Sequence, residues 1–291
     1  MEAKIIDFHT HTFPAFLAGR AIAKLAGNAR ALNYLNGTAE ELRESMRKAG
    51  VDYSLLLPVV TRPDQQEEIN RIAGEVNART RESGIISFGG IHPDNEDYRG
   101  ILRRIAEAGI RGIKLHPVFQ KVYMDDVRYL RIVECAWENG LIVLTHAGYD
   151  IGYPGLAYSS VSHIASALDV LERSCAGRMG DFVLAHMGGW DSWKEVEERI
   201  VGREVFLDTS FSLLPIQPAP GMVRSPEENP PLSREAFLRM VRGHGADRIL
   251  FGTDSPWSGQ EEYILAIKES GLTAGEQAAI LGGNAAKLLN L

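Results

Sequence analysis

The chain has 291 residues, 45% of them hydrophobic and 24% charged, with a formal charge of −7 and a pI near 5.7. This is the composition of a globular protein, and it excludes a disordered or low-complexity chain. The acidic balance, without any Lys/Arg cluster, argues against nucleic acid or an anionic membrane as the main partner.

Met1-Glu2-Ala3-Lys4 runs straight into Ile5-Ile6, so no signal peptide is expected. The longest apolar runs, such as Leu141-Ile142-Val143-Leu144, fall far short of the ~20 residues of a membrane-spanning helix. Cys135 and Cys175 both fall in predicted helices and read as apolar residues rather than as a disulfide. The expected location is the cytoplasm.

In chain order, β-rich runs occupy Lys4–His9, Tyr53–Val59, Ile85–His92, Gly112–His116, Ile142–His146, Phe182–His186, Val205–Thr209 and Ile249–Asp254. Helical patterns lie between them at Ala39–Ala49, Gln65–Ser83, Tyr98–Ala108, Asp126–Asn139, Val161–Cys175, Trp190–Ile200, Arg234–Gly243 and Gln260–Ser270. A helical pair at Thr273–Leu281 and Asn284–Leu289 ends the chain.

Strict alternation predicts a parallel sheet, because a parallel crossover needs an intervening helix. No Gly-x-Gly-x-x-Gly follows the first strand, which removes the usual mark of an open dinucleotide-binding sheet. Eight units in under 300 residues is the size of a (β/α)8 TIM barrel, expected here as a single α/β domain over residues 1–291. Three connections are long, at about 12–38, 148–160 and 210–233, and all follow the C-terminal end of a strand. The third carries Pro215, Pro218, Pro220, Pro226, Pro230 and Pro231 and reads as a stiff lid or wall.

Six of the eight histidines (His9, His11, His92, His116, His146 and His186) sit at or just past predicted strand ends. In a barrel those ends converge on one mouth. His9-Thr10-His11 is the sharpest pattern, since side chains two apart on a strand face the same way and two such imidazoles hold one cation. His146 ends strand five, and Asp254 ends strand eight with Gly252 beside it, where close approach needs a small residue. The expected metal ligands are therefore His9, His11, His146 and Asp254. This N/O set suits one divalent ion, zinc first, with Mn, Fe or Co as the alternatives. A helix N-cap in Asp254-Ser255-Pro256-Trp257 is the competing reading of Asp254.

His186 is expected to polarise the substrate or orient water rather than to ligate. A lysine inside a barrel is costly unless paired, so Lys114 reads as a substrate-anion site or, once carboxylated, as a bridge between two metals. His116 and His92 each precede a proline and read equally as catalytic or structural. Arg62 is a candidate carboxylate clamp. Trp257, Tyr149, Tyr153, Trp190 and Phe211 are candidate pocket aromatics. No Gly-x-Ser-x-Gly, His-Glu-x-x-His, Walker loop or Cys-x-x-Cys is present.

Taken together, Ile6-Asp7-Phe8-His9-Thr10-His11, Gly112–Pro117, Leu144–Gly148, Leu184–Gly189, Leu250–Asp254 and Ile280–Leu289 resemble the amidohydrolase superfamily, in particular its amidohydrolase-related, decarboxylase-like branch. The resemblance covers essentially the whole chain. It implies His9, His11, His146 and Asp254 as metal ligands, His186 as the catalytic or water-orienting histidine, and Asp254 as the proton acceptor. It also implies a one-metal site, with Lys114 not carboxylated.

The leading expectation is a metal-dependent hydrolase of a small, in particular carboxylated, organic substrate. Metal-bound hydroxide would be its nucleophile, Asp254 its proton shuttle and His186 its charge stabiliser. The alternative is a non-oxidative decarboxylase or other lyase acting on an unsaturated or aromatic acid. A third reading is a non-catalytic barrel kept for binding. The expected partner is a small molecule, with no nucleic acid, no membrane and a homodimer as the candidate assembly.

Overall fold

A computed structural model describes residues 4–175, 179–225 and 227–291. Nine strand segments fill eight positions around a closed parallel barrel: β1 (Ile6–Thr10), β2 (Tyr53–Leu56), β3 (Ile85–Ser87), β4 (Gly89–Gly90), β5 (Gly112–Leu115), β6 (Ile142–Thr145), β7 (Phe182–Leu184), β8 (Phe206–Asp208) and β9 (Ile249–Leu250). β3 and β4 are one pass of the chain interrupted at Phe88, pairing with β2 on one side and β5 on the other. The ring closes between the last pass and the first, where Phe8 N–H donates to the Phe251 carbonyl at 2.7 Å and Asp254 N–H to the His9 carbonyl at 2.8 Å.

Ile6, Phe8, Leu55, Leu57, Phe88, Ile142, Leu144, Val183 and Leu250 fill the barrel, and all are buried. The closing helix Asn284–Leu289 adds Ala285 and Leu289 to the same cluster at the end where the strands begin. A second core lies between strands and helices, with Ile113, Val143, Leu184 and Leu207 facing the outer layer. The apolar filling takes up the strand beginnings, so polar side chains collect at the opposite, C-terminal rim.

The predicted helices are present; most ends are trimmed by one to three residues, Asn284–Leu289 matches its expected bounds, and the helix expected to end at Gly243 runs on to His244. Ala39–Ala49 matches the expected bounds because its signals are strong: Thr38 accepts from the Glu41 amide and Gly50 ends the helix at φ 70°. Gln65–Ser83 is two helices, Gln66–Ala78 and Thr80–Ser83. β7 stops at Leu184, short of the expected His186, because His186 and Met187 turn into left-handed backbone at φ 56° and 52°.

The connection 12–38 holds a 15-residue helix, Ala15–Ala29, that the sequence did not announce. It has no side-chain cap at Pro14 and no glycine after it. Its burial rests on Ala18, Ile22 and Ala26, a thin stripe at four-residue spacing. This segment is stitched to the Pro-rich connection: Leu32 N–H donates to the Gln217 carbonyl at 2.8 Å and Ala219 N–H to the Arg30 carbonyl at 3.2 Å. The expected wall is thus held against the helix that follows the first strand; its Pro226 lies outside the described residues. No helix of the described residues is long and apolar enough to cross a membrane. Neither Cys135 nor Cys175 is in a disulfide.

Candidate active site

The register of β1 against β2 shifts between Asp7 and Thr10. This bulge lets Phe8 join the barrel filling while its neighbour His9 also turns to the polar cluster, and Asp7 points away to Thr253 and Gln260. Five of the six strand-end histidines then form a continuous row of rings. His11 and His9 lie 5.1 Å apart between centroids, His9 and His186 5.1 Å, His186 and His146 4.8 Å, and His146 and His116 4.4 Å. His92 stands outside the row, accepting from the Asp94 amide at 3.2 Å.

At one end of the row His9, His11 and Asp254 offer ligand atoms within 4.8 Å of one another. His9 Nδ1 is 2.8 Å from Asp208 Oδ2, and His11 Nδ1 is 3.0 Å from the Leu57 carbonyl. Each Nδ1 therefore donates its hydrogen, and the Nε2 of each ring points at Asp254 Oδ1, at 3.4 and 3.1 Å. Three acceptors facing one another need a cation between them, which is the donor chemistry of a divalent-metal site. His146 is not within that trio: its Nδ1 is 3.0 Å from His186 Nε2, and its Nε2 is buried without a hydrogen-bond partner among the described residues.

Electrostatics keep the cluster in these forms. Burial, aided by Lys114, holds His9 down to about 3, so the ring is neutral. Burial also lowers His116, His146 and His186. Burial works against ionised Asp254, yet the close approach of His11, His9 and His186 holds its carboxyl below the usual value. Asp254 adopts φ 66°, a conformation that costs a non-glycine residue energy and aims its side chain back at the histidines.

Lys114 is 1% exposed, with Nζ 3.4 Å from His9 Nε2; burial pulls it down to about 8, against the attraction of Asp208 and Asp254. His116 is stacked between Phe119, at 4.0 Å, and His146. Trp257 reaches the site through its backbone, donating to the Asp254 carbonyl at 2.9 Å. Arg62 is not brought in: its side chain is 64% exposed and its guanidinium grips Asp64. Among the aromatics, Tyr153 packs edge-on to Phe119 at 5.4 Å, and Trp190 Nε1 donates to the Phe211 carbonyl at 3.2 Å.

Four polar residues of the site escaped the sequence reading. Asp208 and Ser210 lie at and just past the end of β8; Asp208 is a carboxylate at a strand's C-terminal end, and that was the available signal. Asp150 sits 3.8 Å from His116 Nε2, its carboxyl pushed up to about 6 by burial. Asp7 is fully buried; burial pushes it up to about 7, although all its hydrogen-bond partners are donors that favour the charged form.

A closed (β/α)8 barrel with a histidine–aspartate cluster at its C-terminal rim defines a class of metal-site barrels. The amidohydrolase family model matches residues 6–291, and the chain belongs to the amidohydrolase family. No curated protein shows significant sequence similarity to it. Among solved structures it is similar to a 5-carboxyvanillate decarboxylase from Sphingomonas paucimobilis, at 17% identity and TM-score 0.65 over 100% of both chains. A dihydroxybenzoic acid decarboxylase from Polaromonas, with bound manganese and the inhibitor 2-nitroresorcinol, matches at 15% and 0.70 over 99% of this chain and 97% of that one. A probable 2-pyrone-4,6-dicarboxylic acid hydrolase from Acinetobacter baumannii matches at 14% and 0.64 over 99% and 100%.

Proposed function

We propose that the chain is a metal-dependent hydrolase of a small, carboxylated organic substrate, with His9, His11 and Asp254 holding one divalent cation. The observation that carries this reading is the convergence of two imidazole nitrogens and one carboxylate oxygen at 3.1–3.4 Å, a donor set that suits a divalent ion, with the Lys114 ammonium beside it 3.4 Å from His9 Nε2. His146, with its buried and unpartnered Nε2, is the candidate for a fourth donor. An ion bound there supplies Lewis acidity toward a carbonyl and acidifies water.

The protein's own groups do the rest. Asp254, ionised and 13% exposed, takes the proton that water loses on adding to the substrate. His186, beside His9 in the row of rings, holds His146 through its Nε2 and so orients the group that faces the reacting water. Lys114 offers a buried cation to a substrate carboxylate, and the Phe119–His116 stack offers a flat apolar wall to its body.

Decarboxylation of an unsaturated or aromatic acid is the second reading. It is favoured by the decarboxylases among the similar structures. Elemental analysis of wild type and His9→Ala is the first test. About one zinc or manganese ion per chain, lost in His9→Ala, supports the site; no ion bound after either metal is added overturns it. Product analysis on carboxylated substrates then separates the reactions, since CO2 release selects the second reading and a new acid group without CO2 the first.

A further inference from the structure

We propose that Asp208 and Ser210 are positioning residues that fix which nitrogen carries the proton in His9, His186 and His146, leaving a bare Nε2 on each. The fully buried Asp208 carboxylate meets only donors. Oδ2 receives His9 Nδ1 at 2.8 Å. Oδ1 receives the His186 amide at 3.0 Å, the Ser210 amide at 3.0 Å and the Ser210 hydroxyl at 2.5 Å.

Ser210 has one hydroxyl hydrogen and three polar neighbours. The shortest contact is to a carboxylate, which only accepts, so the hydrogen goes there. Toward His186 Nδ1, at 2.8 Å, and His9 Nδ1, at 3.0 Å, the same oxygen is therefore an acceptor.

His186 Nδ1 then faces two acceptors, the Ser210 hydroxyl and the Ser210 carbonyl at 3.1 Å, and must carry its hydrogen. A neutral His186 has a lone pair at Nε2. That atom lies 3.0 Å from His146 Nδ1, so His146 donates from Nδ1 and is left with a lone pair at Nε2. This is one of the two buried imidazole nitrogens without a partner among the described residues, the other being His116 Nδ1. His9 gives an independent check: its Nε2 lies 3.4 Å from Lys114 Nζ, a group that only donates while protonated, as a bare nitrogen requires. One carboxylate on β8 thus orders protons on β1 and just past the ends of β6 and β7. An imidazole free in water favours the opposite tautomer, with the hydrogen on Nε2.

The consequence for metal binding rests on the proposed metal site; the tautomers do not. The test is long-range proton–nitrogen spectroscopy of the full chain with 15N-labelled histidine, recorded before and after zinc is added. Wild type without zinc is expected to show the hydrogen on Nδ1 of His9, His186 and His146; a hydrogen on Nε2 of His186 or His146 overturns the proposal. In competition with a chelator, Ser210→Ala and Asp208→Asn are expected to weaken zinc binding about 10–100-fold. Wild-type zinc affinity in both variants overturns the positioning role. A wild type with the expected tautomers that binds no zinc refutes the metal site and leaves the proton order standing, so the two failures are distinguishable.

Discussion

Asp7 and Thr253 clamp the seam of the barrel: the Thr253 hydroxyl donates to Asp7 Oδ2 at 2.6 Å and the Thr253 amide to Oδ1 at 3.0 Å. Gln260 Nε2 adds a third bond to Oδ2 at 2.8 Å, and the His9 amide a longer one to Oδ1. Asp7 lies two residues before His9, and Thr253 directly precedes Asp254. The spacing between the two sides of the candidate metal site is therefore set by one buried carboxylate on the far face of the strand.

Replacing Asp7 with alanine strands the Thr253 amide without an acceptor and leaves Gln260 Nε2 with the Ser54 hydroxyl alone, one of its hydrogens unpaired. Each buried unpaired group costs about 1–3 kcal/mol. The expected outcome is a lower midpoint of thermal unfolding together with metal affinity reduced about tenfold or more, read by calorimetry and chelator competition. Loss of stability with unchanged metal affinity would show that the clamp holds the barrel but does not set the site.

Metal should stabilise the fold by an amount that grows with the logarithm of its free concentration above Kd. At a free metal concentration about 100 times Kd the gain is ~2.7 kcal/mol, enough to raise the unfolding midpoint by several degrees. Asp254→Asn is expected to abolish both that gain and turnover while remaining folded without metal. Circular dichroism of the variant checks the fold, and a midpoint that still climbs with metal would remove Asp254 from the ligand set.

His244 isolates one proton of the acid response. Its Nδ1 accepts from the Gly202 amide at 3.1 Å and its Nε2 donates to the Val205 carbonyl at 2.8 Å, so the neutral ring is satisfied and a second hydrogen would face an N–H. Burial lowers it from 6.5. Below pH 6.5 the unfolded chain takes up a proton that the folded chain refuses. The stabilisation is thus complete above pH 6.5 and is lost as pH falls toward the folded value, with a slope of up to about 1.4 kcal/mol per pH unit. His244→Asn should cost about 1–2 kcal/mol at pH 8 through the lost Val205 bond. The wild-type and variant stability curves should converge as pH drops from 6.5 to 5; parallel curves would mean that His244 does not titrate in this range.

The barrel was legible because each strand is a short apolar run and each helix carries its own stop or start. Thr38, Gly50 and the alternation of elements needed no tertiary information. His9 and His11 were legible from their spacing, but the orientation of Asp7 was not: a two-residue period puts Asp7 and His9 on one face, and the bulge at Asp7–Thr10 separates them. The Ala15–Ala29 helix stayed hidden because alanine carries little hydrophobic contrast and neither end has a side-chain cap. Arg62 read as a clamp on residue type alone, and its exposure follows from the path of the loop, which no local pattern records.

Gly252 is the position where sequence and geometry agree most closely. It was singled out as the small residue beside Asp254, and a Cβ built there would lie 2.9 Å from His9 Cβ and 3.5 Å from Ser210 Cβ. Neither neighbour is the loose end of a flexible chain: His9 is held by Asp208, and Ser210 by Asp208 as well. Gly252→Ala should therefore cost about 1–3 kcal/mol of overpacking and weaken metal binding by displacing His9. Gly74→Ala is the matching control, because it lies inside the helix Gln66–Ala78 and its added methyl meets nothing within 4 Å. There the change should stabilise by about 0.5–1 kcal/mol, since alanine loses less backbone freedom on folding. Opposite signs in the two unfolding midpoints, with metal affinity reduced only in Gly252→Ala, are the expected result. If Gly252→Ala binds metal as tightly as wild type, the His9 backbone has room to move and the close approach at Gly252 serves packing alone.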